Sequence, residues 1–251
     1  MIDTHCHLDK KDYPNLEKTI QNMEDNIMIV SGADPKDIEE VIDLCEKNTN
    51  IYGTIGIHPE FASTYTEEDL TFLEKNINHP KIVGIGEIGL DYHYTKDNKK
   101  QQHELFVKQL QLANKYNKSI VVHSRDAMED TYNILKQYKN ENIKCDMHCY
   151  SGSLEMAKKL IPLNVYFGIG GVLTFKNEKK LKEIVQELDL KYFVLETDSP
   201  YLTPEPFRGQ KNEPANIKYV AQKIAELTDK SLEEVLDITT QNATILFNKK
   251  F

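Results

Sequence analysis

Five apolar, β-prone runs of the sequence each stop at a residue that can bind a metal ion. In the first run, 1–8, His5 and His7 are two residues apart, so the side-chain period of a strand places both imidazoles on one face. The other four runs end at a histidine or an acid, and they are 82–87, 119–123, 143–148 and 192–198. An isolated His-x-His is as often a pair of core or surface histidines as half of a metal site. Five strand ends with potential ligands favour the metal site.

Helical patterns separate these runs and indicate the fold class. The predicted strands are 1–8, 26–31, 52–57, 82–87, 119–123, 144–148, 165–169 and 192–198. The predicted helices are 35–47, 66–77, 98–116, 126–138, a short one opening near 153, 178–188, 216–227, 232–239 and 242–248. Such alternation, about eight times without a linker or repeat, is typical of a parallel barrel. We therefore expect one α/β domain over residues 1–251, a TIM-type (β/α)8 barrel, regular or distorted, with extra C-terminal helices.

The strand ends matter because the active sites of such barrels lie at the C-terminal ends of the strands. Six potential ligands occupy these ends in the predicted strands: His5, His7, Glu87, His123, His148 and Asp198. Four imidazoles and two carboxylates exceed the needs of one tetrahedral ion, so we expect a site for two metal ions.

The composition is that of a globular protein, with 39% hydrophobic and 28% charged residues. No apolar run approaches the roughly 18 residues that indicate a membrane span. The first predicted strand leaves no room for a cleavable leader before it, so we expect a cytoplasmic protein with no membrane partner.

The formal net charge of -9 argues against a protein that holds long duplexes non-specifically, because such proteins carry a basic face that neutralises phosphates. A nucleic-acid substrate would have to be held locally, near the metal ions. Three cysteines, Cys6, Cys145 and Cys149, are an odd number of positions from the neighbouring ligand candidates, so strand alternation predicts buried thiols under helices rather than ligands.

Six short motifs cover nearly the whole chain. They are Asp-Thr-His-Cys-His at 3–7, Gly-Ile-His-Pro at 56–59, Gly-Glu-Ile-Gly-Leu-Asp at 86–91, His-Ser-Arg-Asp-Ala at 123–127, His-Cys-Tyr-Ser-Gly at 148–152 and Glu-Thr-Asp-Ser-Pro-Tyr-Leu-Thr-Pro at 196–204. In their content and order they resemble the TatD family of metal-dependent deoxyribonucleases, within the amidohydrolase-like superfamily. Tyr150, where Phe is usual, is a small departure, and none falls at a presumed ligand.

The resemblance implies a division of the ligands between two ions. One ion would be held by His5, His7 and Asp198, the other by His123 and His148, with Glu87 bridging them. Asp198 is also the candidate general base, because it would touch both a metal ion and the attacking water. The ions could be Mg, Mn or Zn: imidazole ligands favour a transition metal, whereas the family is usually described as Mg-dependent.

Other residues are candidates for contacts around the metal ions. His58, Arg125, Tyr201 and Arg208 are candidate substrate contacts, each with a structural role as its alternative. Glu196 is two residues before Asp198, so we expect it to contact and orient a ligand rather than bind the metal.

Three functions remain open at this point. The resemblance implies a deoxyribonuclease that uses a metal-activated water, acting on single strands or as a 3′-5′ exonuclease at a chain end. The same residues would also suit hydrolysis of a carboxylic ester or amide, including an aminoacyl ester on tRNA. A third alternative is a non-enzymatic metal-binding interaction protein, although no obligate protein partner is expected.

Overall fold

Eight parallel strands follow one another in chain order around a single sheet in the computed structural model, which describes residues 1–251. The strands are β1 (Ile2–Cys6), β2 (Ile27–Gly32), β3 (Ile51–Ile55), β4 (Ile82–Asp91), β5 (Ser119–Arg125), β6 (Cys145–Met147), β7 (Val165–Ile169) and β8 (Phe193–Leu195). The helices are α1 (Leu16–Gln21), α2 (Ile38–Lys47), α3 (Glu67–Asn76), α4 (Lys99–Tyr116), α5 (Met128–Tyr138), α6 (Leu154–Leu160), α7 (Lys180–Glu187), α8 (Ile217–Thr228) and α9 (Leu232–Leu246). The prediction of a single-domain (β/α)8 barrel is confirmed.

The barrel is closed by hydrogen bonds between the residues after β8 and the first strand. The amide of Asp198 donates to the carbonyl of His5 at 3.0 Å, and the amide of His7 donates to the carbonyl of Ser199 at 2.8 Å. The buried carboxylate of Asp3 accepts from the amide and the hydroxyl of Thr197, at 3.0 and 2.6 Å. These hydrogen bonds therefore fix the backbone of His5 and His7 next to the backbone of Asp198.

The main core lies between the sheet and the surrounding helices, whose apolar faces have the spacing of a buried stripe. Two helices begin with a capping box, in which side chain and backbone satisfy each other: Thr66 with Asp69 at α3, and Ser231 with Glu234 at α9. No helix combines the length and the apolar composition needed to cross a bilayer.

A second, smaller apolar cluster closes the N-terminal end of the barrel. It combines one residue from each of five strands with the end of α9, and its members are Ile2, Ile29, Val83, Val121, Val194, Ala243, Leu246 and Phe247. Apolar side chains therefore pack the end of α9 against the sheet.

The last helix corrects one prediction. We expected two helices, 232–239 and 242–248, but α9 runs without a break from Leu232 to Leu246. Asn242, the first residue of the second predicted helix, is buried and donates to the carbonyls of Leu190 and Phe193 at 2.8 and 2.7 Å. Tertiary hydrogen bonds thus keep a residue of low helix propensity inside the helix.

Strand ends differ from the predictions at several ligand positions. β1 stops at Cys6, β6 at Met147 and β8 at Leu195, so His7, His148 and Asp198 lie in the loops just beyond. β4 is longer than predicted and continues from Glu87 to Asp91.

Candidate metal centre

Four imidazoles and two carboxylates converge at the C-terminal end of the barrel. His5 Nε2 lies 3.2 Å from His7 Nε2. One Asp198 oxygen, Oδ1, lies 3.8, 3.6 and 3.7 Å from Nε2 of His5, His7 and His148. The structure thus brings together side chains from residues 5 and 198, at opposite ends of the sequence.

Glu87 lies at the middle of this group, and its two oxygens face different histidines. Oε2 is 3.6 Å from His5 Nε2 and 3.8 Å from His7 Nε2. Oε1 is 2.9 Å from His123 Nδ1 and 3.9 Å from His148 Nε2. A carboxylate that presents one oxygen to each set of imidazoles has the geometry needed to bridge two ions.

The spacing of the donor atoms fits ligands around shared cations. Two ligands at 2.0–2.1 Å from one tetrahedral ion are roughly 3.4 Å apart. Most donor pairs are separated by 3.2 to 3.9 Å, which is mostly too long for a good direct hydrogen bond. The donor atoms form several groups of three within 4.8 Å of one another, such as His5–His7–Glu87 and Glu87–His123–His148. The residues present can therefore hold metal ions.

Asp91 belongs to the centre, although the sequence analysis did not assign it. Its Oδ2 lies 2.9 Å from His123 Nε2, on the opposite side of the ring from Glu87. The amide of His93 donates to Asp91 Oδ1 at 2.8 Å, which fixes the carboxylate. Asp91 is four residues after Glu87 at the end of the motif at 86–91, so an extension of the strand by the same alternation was the signal for it.

Charge on the metal-free centre is divided unevenly. Burial alone would raise the pKa of Glu87, but the surrounding histidines outweigh it and hold the pKa well below its usual value. Burial lowers the pKa of His5 well below 6.5 and that of His58 to about 4. For His123 burial is outweighed by Asp91 and Glu87, which raise its pKa to about 9. The centre thus keeps ionised Glu87 and neutral His5 in metal-binding forms, and binding at His123 would displace a proton.

Glu196 lies below the centre and contacts a ligand candidate, as its position in the sequence suggested. Its Oε2 is 3.2 Å from His148 Nδ1, and its Oε1 accepts the amide hydrogen of Cys149 at 2.7 Å. Gly168 of β7 makes room for this carboxylate, because a Cβ there would come within 2.2 Å of Oε2. A fully buried acid therefore sets the orientation of the His148 ring.

Cys149 corrects the prediction of three buried thiols under helices. Cys6 and Cys145 are fully buried, but Cys149 is partly exposed and lines the cavity above the centre. Its Sγ lies 3.8 Å from Asp198 Oδ2. Strand alternation did not predict the position of this thiol because β6 ends before Cys149, which adopts a left-handed conformation with φ of 45°.

The candidate substrate contacts are placed differently from one another. His58, Arg125 and Tyr201 line the cavity with the metal-ligand candidates, and His58 Nε2 is 3.7 Å from Glu87 Oε1. Arg208 is exposed outside the cavity lining, with its guanidinium 3.9 Å from the centroid of the Phe175 ring. The contact of Arg208 with substrate therefore stays a prediction, and in the structure its guanidinium stacks on Phe175.

The fold and the converging ligands define a metal-dependent hydrolase of the (β/α)8 barrel type. Residues 2–248 match the family model described as TatD related DNase, and the chain belongs to this family. It is 44% identical to the metal-dependent hydrolase YabD of Bacillus subtilis over 252 residues, 98% of each chain. It is 34% identical to the metal-dependent hydrolase YcfH of Escherichia coli K12, over 99% of this chain and 96% of the other.

A solved structure shows the same architecture. YjjV, a TatD homologue from Escherichia coli K12, superposes with a TM-score of 0.91 at 28% identity, covering 100% of this chain and 98% of that one. Together with the named relatives, this makes the protein a metal-dependent hydrolase and removes the non-enzymatic alternative.

Proposed function

We propose that this hydrolase cleaves phosphodiester bonds in DNA, on single strands or at a 3′ chain end, with two divalent ions. The observation that carries the proposal is Glu87, whose Oε2 faces His5 and His7 while its Oε1 faces His123 and His148. Enzymes that displace a phosphate ester oxygen commonly use two ions about 3.5 to 4 Å apart, which a single carboxylate can span. Membership of the TatD related DNase family supports DNA as the substrate.

The residues divide into metal ligands and groups that act on the substrate. His5, His7 and Asp198 would hold one ion, His123 and His148 the other, and Glu87 both. When bound, the ions would stabilise charge on the phosphate oxygens and lower the pKa of a bound water. Asp198 faces the cavity with 14% of its side chain exposed, so its carboxylate can accept the proton of the attacking water.

The cavity above the centre has a volume of about 910 Å³ and an uneven charge. Six acids line it on one side of the centre: Asp9, Asp12, Asp34, Asp37, Glu40 and Glu60. Its cationic side chains are Lys11, Arg125 and Lys180. A long duplex would bring its phosphates against the acids, whereas a single strand or chain end can enter past Arg125. This distribution supports a short substrate segment held near the ions.

The same acidic side of the cavity favours one alternative. Apolar side chains, including Leu8, Val30 and Phe61, line the cavity together with these acids. Such a surface can accept the ammonium group and side chain of an amino acid, as in an aminoacyl ester on tRNA. Hydrolysis of a carboxylic ester or amide is therefore the second candidate function.

The test begins with protein stripped by a chelator and reloaded separately with Mg, Mn or Zn. End-labelled single-stranded DNA and an aminoacyl-tRNA are then incubated with the wild type and with Glu87→Ala. Metal-dependent shortening of the DNA that is lost in Glu87→Ala supports the nuclease, and the position of the label that is released first gives the polarity. Release of amino acid from intact tRNA, with no shortening of DNA, would replace the nuclease by the esterase.

A further inference from the structure

We propose that Tyr94 is a stacking platform for one nucleobase of a single-stranded DNA substrate, with Arg125 supporting the other face of its ring. This inference rests on the proposed nuclease function. It assigns a binding role to a residue outside the metal centre and identifies the ligand as a flat, unpaired base.

Tyr94 is an aromatic residue held in solvent beside the centre. It is 82% exposed, whereas Tyr92, two residues earlier, is 5% exposed and packed in the core. Both Tyr94 and Arg125 line the cavity with His123 and Asp91. A large ring left open on the wall of an active-site cavity is available to a ligand.

The contacts of the Tyr94 ring leave room for one stacked group. The Arg125 guanidinium lies 5.1 Å from the ring centroid, and its Nη1 is 3.4 Å from the tyrosine hydroxyl. His93 contacts the ring at an interplanar angle of 84°, with centroids 5.0 Å apart. The guanidinium lies over the ring and 82% of Tyr94 is nevertheless exposed, so a base has room to stack on the ring.

The backbone just before Tyr94 is fixed by contacts of residues 91–93. The Tyr92 hydroxyl donates to Asp130 at 2.9 Å, and His93 Nδ1 lies 3.0 Å from Asp126 Oδ2. The His93 amide is bonded to Asp91, which itself contacts His123. These contacts fix the backbone from which the Tyr94 side chain projects beside the centre, which reduces the entropic cost of binding a base.

Tyr94 and Arg125 together suit the two parts of one nucleotide, its base and its phosphate. Aromatic rings stack on any base, which suits a nuclease without a sequence motif to read. Arg125 is two residues after His123 and can make two parallel hydrogen bonds to a phosphate. Base and phosphate of one nucleotide would thus contact adjacent side chains on the side of the cavity that carries Arg125.

Binding of phosphorothioate single strands, which resist hydrolysis, tests the platform. We compare the wild type with Tyr94→Ala and Tyr94→Phe, and use Phe72→Ala as the matched control because Phe72 is exposed on α3 outside the cavity. We expect Tyr94→Ala to weaken binding by about 5- to 150-fold, the range for loss of one base–aromatic stack. Tyr94→Phe and Phe72→Ala should bind as the wild type does.

A series of strands, each with one abasic residue at a different position, gives the second readout. At one position of the strand, an abasic residue should weaken binding to the wild type. The same abasic residue should not weaken binding to Tyr94→Ala further, because that variant already lacks the stacking ring. On cleavable strands, Tyr94→Ala should raise KM more than it lowers kcat, with metal content unchanged.

The outcomes separate the two proposals. If the wild type binds and shortens DNA but Tyr94→Ala binds equally well, the platform is refuted and the nuclease stands. If Tyr94→Ala loses metal or kcat with KM unchanged, the residue acts on the centre and the platform is also refuted. A wild type that neither binds nor cuts single strands refutes both.

Discussion

The two ends of the barrel are built from the same eight strands but from opposite chemistry. At the N-terminal end, apolar side chains from five strands pack against Phe247 and its neighbours on α9. At the C-terminal end, buried imidazoles and carboxylates face one another with separations of 3 to 4 Å. The first end stabilises the fold by burying apolar surface. The second gathers buried titratable groups, whose burial costs free energy that carboxylate–imidazole contacts only partly offset.

The comparison predicts the largest effect for Glu87→Ala. Removing the carboxylate that faces both sets of imidazoles should lower kcat at least 100-fold, because both ions lose a shared ligand. The melting temperature of the metal-free protein should also fall, because the substitution removes one of the two carboxylates that face the partly buried His123 imidazole. Steady-state kinetics and calorimetry on chelated protein measure both. Wild-type turnover in this variant would contradict the role of Glu87.

The matched change at the other end is Phe247→Ala. Phe247 is 4% exposed in the apolar cluster, so its truncation should reduce the free energy of unfolding by about 3–5 kcal/mol. Metal content and kcat at a temperature where the variant is folded should stay as in the wild type. Denaturant unfolding and metal analysis measure these quantities. A loss of metal in Phe247→Ala would show that the two ends are coupled.

Metal removal should destabilise the C-terminal end by an intermediate amount. A ligand at 100 times its Kd stabilises a protein by about 2.7 kcal/mol, so Mn or Zn should raise the melting temperature of stripped protein. The increase should be absent in Glu87→Ala, which serves as the control. An equal increase in both proteins would place the stabilising ion at another site.

The smallest effect is expected for Glu196→Gln. The amide keeps the size of the side chain but not the charge that orients His148 through Nδ1, so metal affinity should fall by about 10- to 100-fold. Titration with Zn in competition with a chelator measures it. An unchanged affinity would mean that the Cys149 amide bond, rather than the His148 contact, is the role of Glu196.

The same comparison shows what sequence reasoning could reach. The barrel and the six converging side chains follow from strand periodicity, because alternation and the parallel arrangement place strand ends at one rim. Strand periodicity did not predict the orientation of Cys149, because β6 ends at Met147 and Cys149 has a positive φ. The continuity of α9 through residues 240–241 did not follow either, and next to them the buried Asn242 donates hydrogen bonds to the carbonyls of Leu190 and Phe193. Local sequence patterns do not contain such tertiary contacts.

Anomalous diffraction from crystals of the protein loaded with Mn tests the central claim most directly. We expect two peaks about 3.5 to 4 Å apart. Each should lie near one oxygen of Glu87, one beside His5, His7 and Asp198 and the other beside His123 and His148. A single peak away from Glu87, or ions bound only outside this group of side chains, would contradict the account.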